Sequence, residues 1–246
     1  MAFAEQRAAV AQGCRVAAAR GLADGMLGHL SLRIDDERLL VRCRSAADTG
    51  VAFTRPADIR LVRFDGSPGA AGELDGYQVP NELPIHTETL QAQPDRNAVA
   101  HLHPPGIVAA DLAGISLRPI YGAYDIAGAQ LARGGVPVYP CAVLIRTAAL
   151  GGQMAAAMAG RPVLICRGHG IVSAAGSVAA AVLQAISLER MAQLALQVRA
   201  AGGTLRDIDD ADWAELPELG AGFAVDAAWR HELARLRPLS EPDALP

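Results

Sequence analysis

Ala98-Val99-Ala100-His101-Leu102-His103-Pro104-Pro105 is the stretch from which the fold can be read. An apolar run carrying histidines two residues apart has the side-chain period of a strand, which sends both imidazoles to one face. The two prolines end that strand, because proline has no ladder donor and restricts the residue before it. A pair of imidazoles at a strand end is a chelate for a metal ion. Taken alone, the spacing suits hydrogen-bonded structural histidines equally well, so further ligands have to come from elsewhere in the chain.

On the N-terminal side, Pro80-Asn81-Glu82-Leu83-Pro84 opens a predicted helix that runs to about Gln93; proline is tolerated in a first turn, where the backbone donor has no partner in any case. Glu82 stands at the start of that helix. The turn through Gln93 to Asn97 then leads into the histidine strand, a return that can bring helix start and strand end together. On the C-terminal side, Val163-Leu164-Ile165-Cys166 is wholly apolar and reads as a central buried strand. It runs into Arg167-Gly168-His169-Gly170, where glycines on either side of a third histidine let the backbone turn sharply.

The remaining elements are predicted around this pair of strands. A helix from about Glu5 to Arg20 is followed by strands at Gly28–Ile34, Leu39–Cys43, Val51–Phe53 and Ile59–Arg63, an antiparallel series joined by polar turns. Beyond the histidine strand come a short helix to Leu112, a loop containing Tyr121 and Tyr124, a strand at Val136–Tyr139, an Ala-rich helix at Thr147–Met158 and a long helix at Ser177–Ala200. The tail from Leu205 is acidic and contains one predicted helix, Val225–Leu236. The whole chain, 1–246, reads as one domain on which 203–246 packs as an extension.

Composition excludes several function classes. The chain is 246 residues long, 51% hydrophobic and 4% aromatic, with a formal net charge of −4 and arginine as its sole basic residue. It has no basic stripe to displace counterions from nucleic acid. Four cysteines, Cys14, Cys43, Cys141 and Cys166, form no CxxC pair and read as buried hydrophobes in a reducing compartment. The start of the chain lacks a signal-peptide pattern and no continuously apolar run is long enough to span a bilayer, so no membrane partner and a cytoplasmic location are expected.

With His101, His103 and His169 at two strand ends, the donor set is that of a catalytic zinc site with an open coordination position, and it also accepts manganese, cobalt or iron. Together with Gly28-His29-Leu30-Ser31-Leu32-Arg33, Phe53-Thr54-Arg55-Pro56-Ala57-Asp58-Ile59 and the Glu82-to-His86 segment, these motifs occur in an order that resembles the class II aldolase/adducin family over about residues 5 to 200. The resemblance implies an α/β fold, an αβα sandwich around a mostly antiparallel sheet. It also implies a homotetramer with intersubunit sites, a divalent metal on His101, His103 and His169, and Glu82 as the acid/base residue.

Two positions depart from the family's sugar-phosphate aldolases, which hold the substrate phosphate with Asn where His29 stands and with a Ser pair ahead of the glutamate. Here Pro80-Asn81 precede Glu82. The expected substrate is therefore an unphosphorylated carboxylic acid, and the pattern resembles the family's decarboxylases of dihydroxylated aromatic acids. Burial is expected to raise the Glu82 pKa and make it a proton donor, against the opposing charge of the metal. His29 is expected to be a second acid or a hydrogen-bond donor to substrate. Arg167, with Arg33 and Arg55 behind it, is expected to meet substrate carboxylates with a bidentate fork. Tyr121 or Tyr124 would reach a neighbouring subunit's site, and His86 and His231 are expected to be structural or exposed. The competing readings are an aldolase acting on a small hydroxy-keto compound, a non-catalytic adducin-like interaction module and an iron-dependent oxygenase.

Overall fold

Ala98–Leu102 is a strand buried at every position, and the rest of the sheet is laid out from it. The structure, a computed structural model, describes residues 2–219 and 222–236. In chain order its elements are α1 (Ala4–Ala19), β1 (His29–Arg33), β2 (Arg38–Arg42), β3 (Arg44–Ser45), β4 (Ile59–Arg63), β5 (Tyr77–Gln78), α2 (Leu83–Ala92), β6 (Ala98–Leu102), α3 (Pro105–Leu112), α4 (Ile126–Ala132), β7 (Val138–Tyr139), α5 (Ala148–Met158), β8 (Val163–Cys166), β9 (Gly170–Ala175), α6 (Val178–Ala200), α7 (Asp210–Glu215) and α8 (Ala228–Arg235).

The main sheet has the order β4-β2-β1-β6-β9-β8-β7, and β3 pairs with β5 in a separate short ladder. Every neighbouring pair in the main sheet is antiparallel except β7 with β8. The strand with the histidines is thus the middle of the seven, paired with β1 on one side and β9 on the other. Side-chain alternation divides the core in two. Leu30, Leu40, Ala98, Ala100, Leu102 and Ile171 face α1, α3 and α6. Val41, Val99, Leu164 and Val172 face α2 and α5. Two apolar layers against one sheet make the αβα sandwich.

Four local features differ from the sequence expectation. Val51–Phe53 is a turn of 3-10 helix, not a strand. Gly50 preceding it has φ 110°, and the Val51 amide donates to the Gly25 carbonyl at 2.8 Å, which ties the segment to the loop before β1. Gly170–Ala175, too rich in small residues to signal a strand, pairs with both β6 and β8. The segment after Tyr124 contains α4, whose start is capped by the Asp125 side chain accepting from the Gly128 amide. The tail holds α7 as well as α8, and α8 begins after a π-helical stretch at Gly222–Ala227.

Trp229 and Leu233 of α8 pack, partly buried, against the main core, and Glu232 pairs with Arg20 of the first helix's C-terminal end at 3.4 Å. Of the expected extension 203–246, residues 220, 221 and 237–246 lie outside the described residues. No helix among the described residues is long and apolar enough to cross a membrane.

Candidate metal centre

Glu82, His101, His103 and His169 each bring one ligand atom to a common point, all within 4.8 Å of one another. Their convergence follows from the topology. His101 is the penultimate residue of β6, His103 follows its end, and His169 sits in the turn between β8 and β9, the strand that pairs with β6. Glu82 is the N-cap of α2, which lies across the same face.

Two glycines make the β8–β9 turn possible. Gly168 has φ +57°, and at Gly170 a Cβ would lie 2.2 Å from the Leu102 carbonyl oxygen and 3.0 Å from the His103 ring. Any side chain there would push β9 off β6 and move His169 away from the other two histidines. On the other side of the chelate, the buried Glu189 carboxylate of α6 accepts from the Gly106 and Ile107 amides at 2.9 Å each, fixing the start of α3 immediately after His103-Pro104-Pro105.

The ring atoms face the right way for a cation. His101 Nδ1 donates to the Ile171 carbonyl at 3.1 Å, which leaves its Nε2 as a lone pair aimed at the cluster. His103 Nε2 lies 3.0 Å from it. Nitrogens bound to one tetrahedral ion at about 2.0–2.1 Å would stand roughly 3.3 Å apart, so the observed spacing suits a shared metal. The rings of His101, His103 and His169 are packed edge to face with centroids 4.8–4.9 Å apart. Burial pushes the His103 pKa down to about 4 and lowers that of His101, the neutral form a metal requires. Three imidazoles and a carboxylate therefore fit a divalent ion.

Glu82 departs from expectation in its proton affinity. Burial pushes its carboxyl pKa upward, but the neighbouring His101 and His169 rings and the hydrogen bond from the Ile145 amide outweigh burial and hold it well below the usual carboxylate range. Its Oε1 accepts from Ile145 N–H at 2.8 Å, while Oε2 lies 3.5 Å from both His101 Nε2 and His169 Nε2. These contacts favour the carboxylate form of Glu82.

His29 lies beside this group. It is the cross-strand partner of His101 in the β1–β6 ladder, and the two rings are 5.1 Å apart. Its Nδ1 is 2.6 Å from His86 Nε2, and His86 Nδ1 is 2.7 Å from Ser31 Oγ. His86 is fully buried, so its expected choice between structural and exposed resolves to a buried, bonded ring. Its placement has a sequence signal: it stands four residues after Glu82, about one helical turn on. His231 is exposed on α8.

The arginines and tyrosines are dispersed. Arg33 is at the far end of β1 from His29, four residues or about 13 Å away, where its guanidinium donates to the Leu90 carbonyl of α2 and stacks over Phe64. It holds the helix to the sheet and does not reach the histidines, a correction to the expected substrate contact. Arg167 is exposed two residues before His169, and Arg55 is exposed just after the buried Thr54. Tyr121 directs its hydroxyl to the Ser187 carbonyl of α6 at 3.4 Å and packs against Tyr124, itself 65% exposed. Their contacts are with α6 and each other, not with the histidine cluster of the same chain.

The buried histidines make the metal-free protein sensitive to acid. Burial, with the nearby His101 charge, pushes His86 down to about 3, whereas a histidine in the unfolded chain titrates near 6.5. Between those values the unfolded state binds more protons, so stability falls as pH drops below about 6.5 and levels off only below the folded values. Urea unfolding of chelator-treated protein is expected to show a lower midpoint at pH 5 than at pH 7; equal midpoints would contradict the buried neutral rings.

Residues 8–196 match the family described as Class II Aldolase and Adducin N-terminal domain. The chain is 69% identical over 230 residues, 93% of its length and 95% of the relative's, to a 3,4-dihydroxyphthalate decarboxylase of Rhodococcus jostii (strain RHA1). It is 60% identical, over 96% of each chain, to a protein of the same name from Arthrobacter keyseri. Among solved structures, an aldolase II superfamily protein from Pseudomonas syringae superimposes with a TM-score of 0.78 at 22% identity, covering 95% of this chain and 92% of that one.

Proposed function

Because the chain belongs to the class II aldolase and adducin family, we propose that it is a divalent-metal-dependent decarboxylase of 3,4-dihydroxyphthalate. The observation that carries this reading is the 69% identity to a 3,4-dihydroxyphthalate decarboxylase across 93% of the chain. The donor set of His101, His103 and His169, with Glu82 among them, supplies the chemistry the reading needs.

A divalent ion held by the three histidines would supply Lewis acidity toward the substrate's adjacent oxygens; zinc, manganese, cobalt and iron all suit these ligands. Glu82 carries the proton. As a carboxylate, its Oε2 accepts the proton of a substrate hydroxyl and passes it to the ring carbon that bears the departing carboxylate. Breaking the bond to that carboxylate releases carbon dioxide and returns the electron pair to the ring, restoring aromaticity. The Ile145 amide holds Oε1 throughout, so that Oε2 swings little between its two tasks. Arg167 and Arg55 are exposed, and their guanidinium groups would meet the substrate's carboxylates.

The reading extends to a cytoplasmic homotetramer with active sites between subunits. Association of subunits is supported by large apolar side chains left in water by a single chain, among them Leu27, Phe53, Leu112 and Leu144. In that assembly Tyr121 or Tyr124 would serve the site of a neighbour.

Incubating the metal-loaded protein with 3,4-dihydroxyphthalate is expected to release carbon dioxide with no aldehyde. Chelation should abolish release and restored metal should return it. An aldehyde formed from a hydroxy-keto acid, with no carbon dioxide from the phthalate, would sink the proposal in favour of an aldolase.

A further inference from the structure

Ser31, His86 and His29 form a chain of hydrogen bonds whose direction is set at its buried end. Ser31 Oγ to His86 Nδ1 is 2.7 Å and His86 Nε2 to His29 Nδ1 is 2.6 Å. Ser31 and His86 both have 0% exposure, so bulk water reaches neither. Among the described residues the Ser31 hydroxyl has His86 as its one hydrogen-bond partner. A buried hydroxyl that only accepted would leave its O–H unpaired, which costs more than an unfilled lone pair on a hydroxyl already donating.

The hydroxyl therefore donates to His86 Nδ1. With that nitrogen an acceptor, the His86 proton sits on Nε2 and is donated to His29 Nδ1. With its Nδ1 accepting in turn, His29 carries its own proton on Nε2, at the ring edge turned away from His86. His29 is only half-buried and stands across the ladder from His101, so this edge opens beside the histidine cluster.

We propose that Ser31 and His86 are positioning residues that hold His29 as an Nε2–H hydrogen-bond donor to an anionic oxygen of the substrate. The hydrogen-bond direction follows from burial and partner count alone; the identity of the oxygen rests on the decarboxylase reading. The same site would reject an analogue that placed a donor or an apolar group at that point, since the His29 proton would then lose its partner.

Ring-nitrogen NMR of the full-length protein, labelled with 15N-histidine and recorded before and after loading with diamagnetic zinc, tests the direction. Both His29 and His86 are expected to be protonated on Nε2 and bare on Nδ1, with a coupling across the hydrogen bond joining His86 Nε2 to His29 Nδ1. A proton on Nδ1 of either ring overturns the proposal. In kinetics, Ser31→Ala and His86→Leu are expected to raise KM for 3,4-dihydroxyphthalate roughly tenfold, the scale of one hydrogen bond, with a smaller change in kcat. His86→Gln, whose amide nitrogen can still donate to His29, should recover much of the affinity lost in His86→Leu. If Ser31→Ala and His86→Leu leave KM and the His29 tautomer as in the wild type, the positioning role is overturned. Wild-type protein with the expected tautomers but no carbon dioxide release would refute the decarboxylase reading and leave the hydrogen-bond direction standing.

Discussion

Glu82→Gln is expected to lower kcat for carbon dioxide release by roughly 10²- to 10⁴-fold, the range for removal of a positioned acid/base group, while metal content stays at the wild-type level. The substitution is nearly isosteric. A glutamine carbonyl can accept from the Ile145 amide as Oε1 does now, so the start of α2 keeps its anchor and the histidines keep their places. What disappears is the oxygen that can take up a proton and return it. The lowered proton affinity of Glu82 bears on the outcome, because a group that rests ionised must be loaded by the substrate itself. A substrate analogue with its hydroxyls methylated would thus be inert even in the wild type. The measurement is single-turnover carbon dioxide release alongside elemental analysis for bound metal. A kcat within tenfold of wild type, or metal lost in step with activity, would remove Glu82 from the proton-transfer role.

His101→Ala is expected to cost more than 10²-fold in metal affinity, exceeding the 10- to 100-fold typical of an outer-shell partner, and to leave no measurable decarboxylation. His101 is fully buried in the central strand, 3.0 Å from His103 Nε2 and bonded through Nδ1 to Ile171. It thus both lies against another imidazole of the cluster and hydrogen-bonds the backbone of the adjacent strand. Its removal leaves two imidazoles on separate segments, and the Ile171 carbonyl loses its side-chain donor. Because β6 remains paired on both sides, the circular dichroism spectrum should be retained even though the melting temperature falls. Metal titration by calorimetry checks the affinity. Wild-type metal binding in the variant would show that the ion, if any, sits elsewhere.

Much of the donor set was legible in the sequence because its spacing is local. His101 and His103 are two apart on a strand, His169 lies between two glycines at the end of an apolar run, and Glu82 begins a proline-marked helix. Each is a short-range pattern with a physical meaning. The contact between Ser31 and His86 was not legible, since they meet only when α2 lies across β1, and nothing in either segment states that register. The Val51–Phe53 segment misled for a related reason: three apolar residues suit a strand, but Gly50 and its packing against the Gly25 carbonyl curl them into a turn. Arg33 illustrates the limit of proximity in sequence, for the strand that carries His29 into the site carries Arg33 out of it.

The partners that aim Glu82 and His101 are the Ile145 amide and the Ile171 carbonyl. Both are main-chain atoms, so their direction is set by the path of the chain and not by the identity of residues 145 and 171. Any side chain at 145 other than proline preserves the donor, and every residue at 171 preserves the acceptor. The direction of the Glu82 carboxylate and of the His101 ring is in this respect insulated from substitutions at the two positions that provide their main-chain partners.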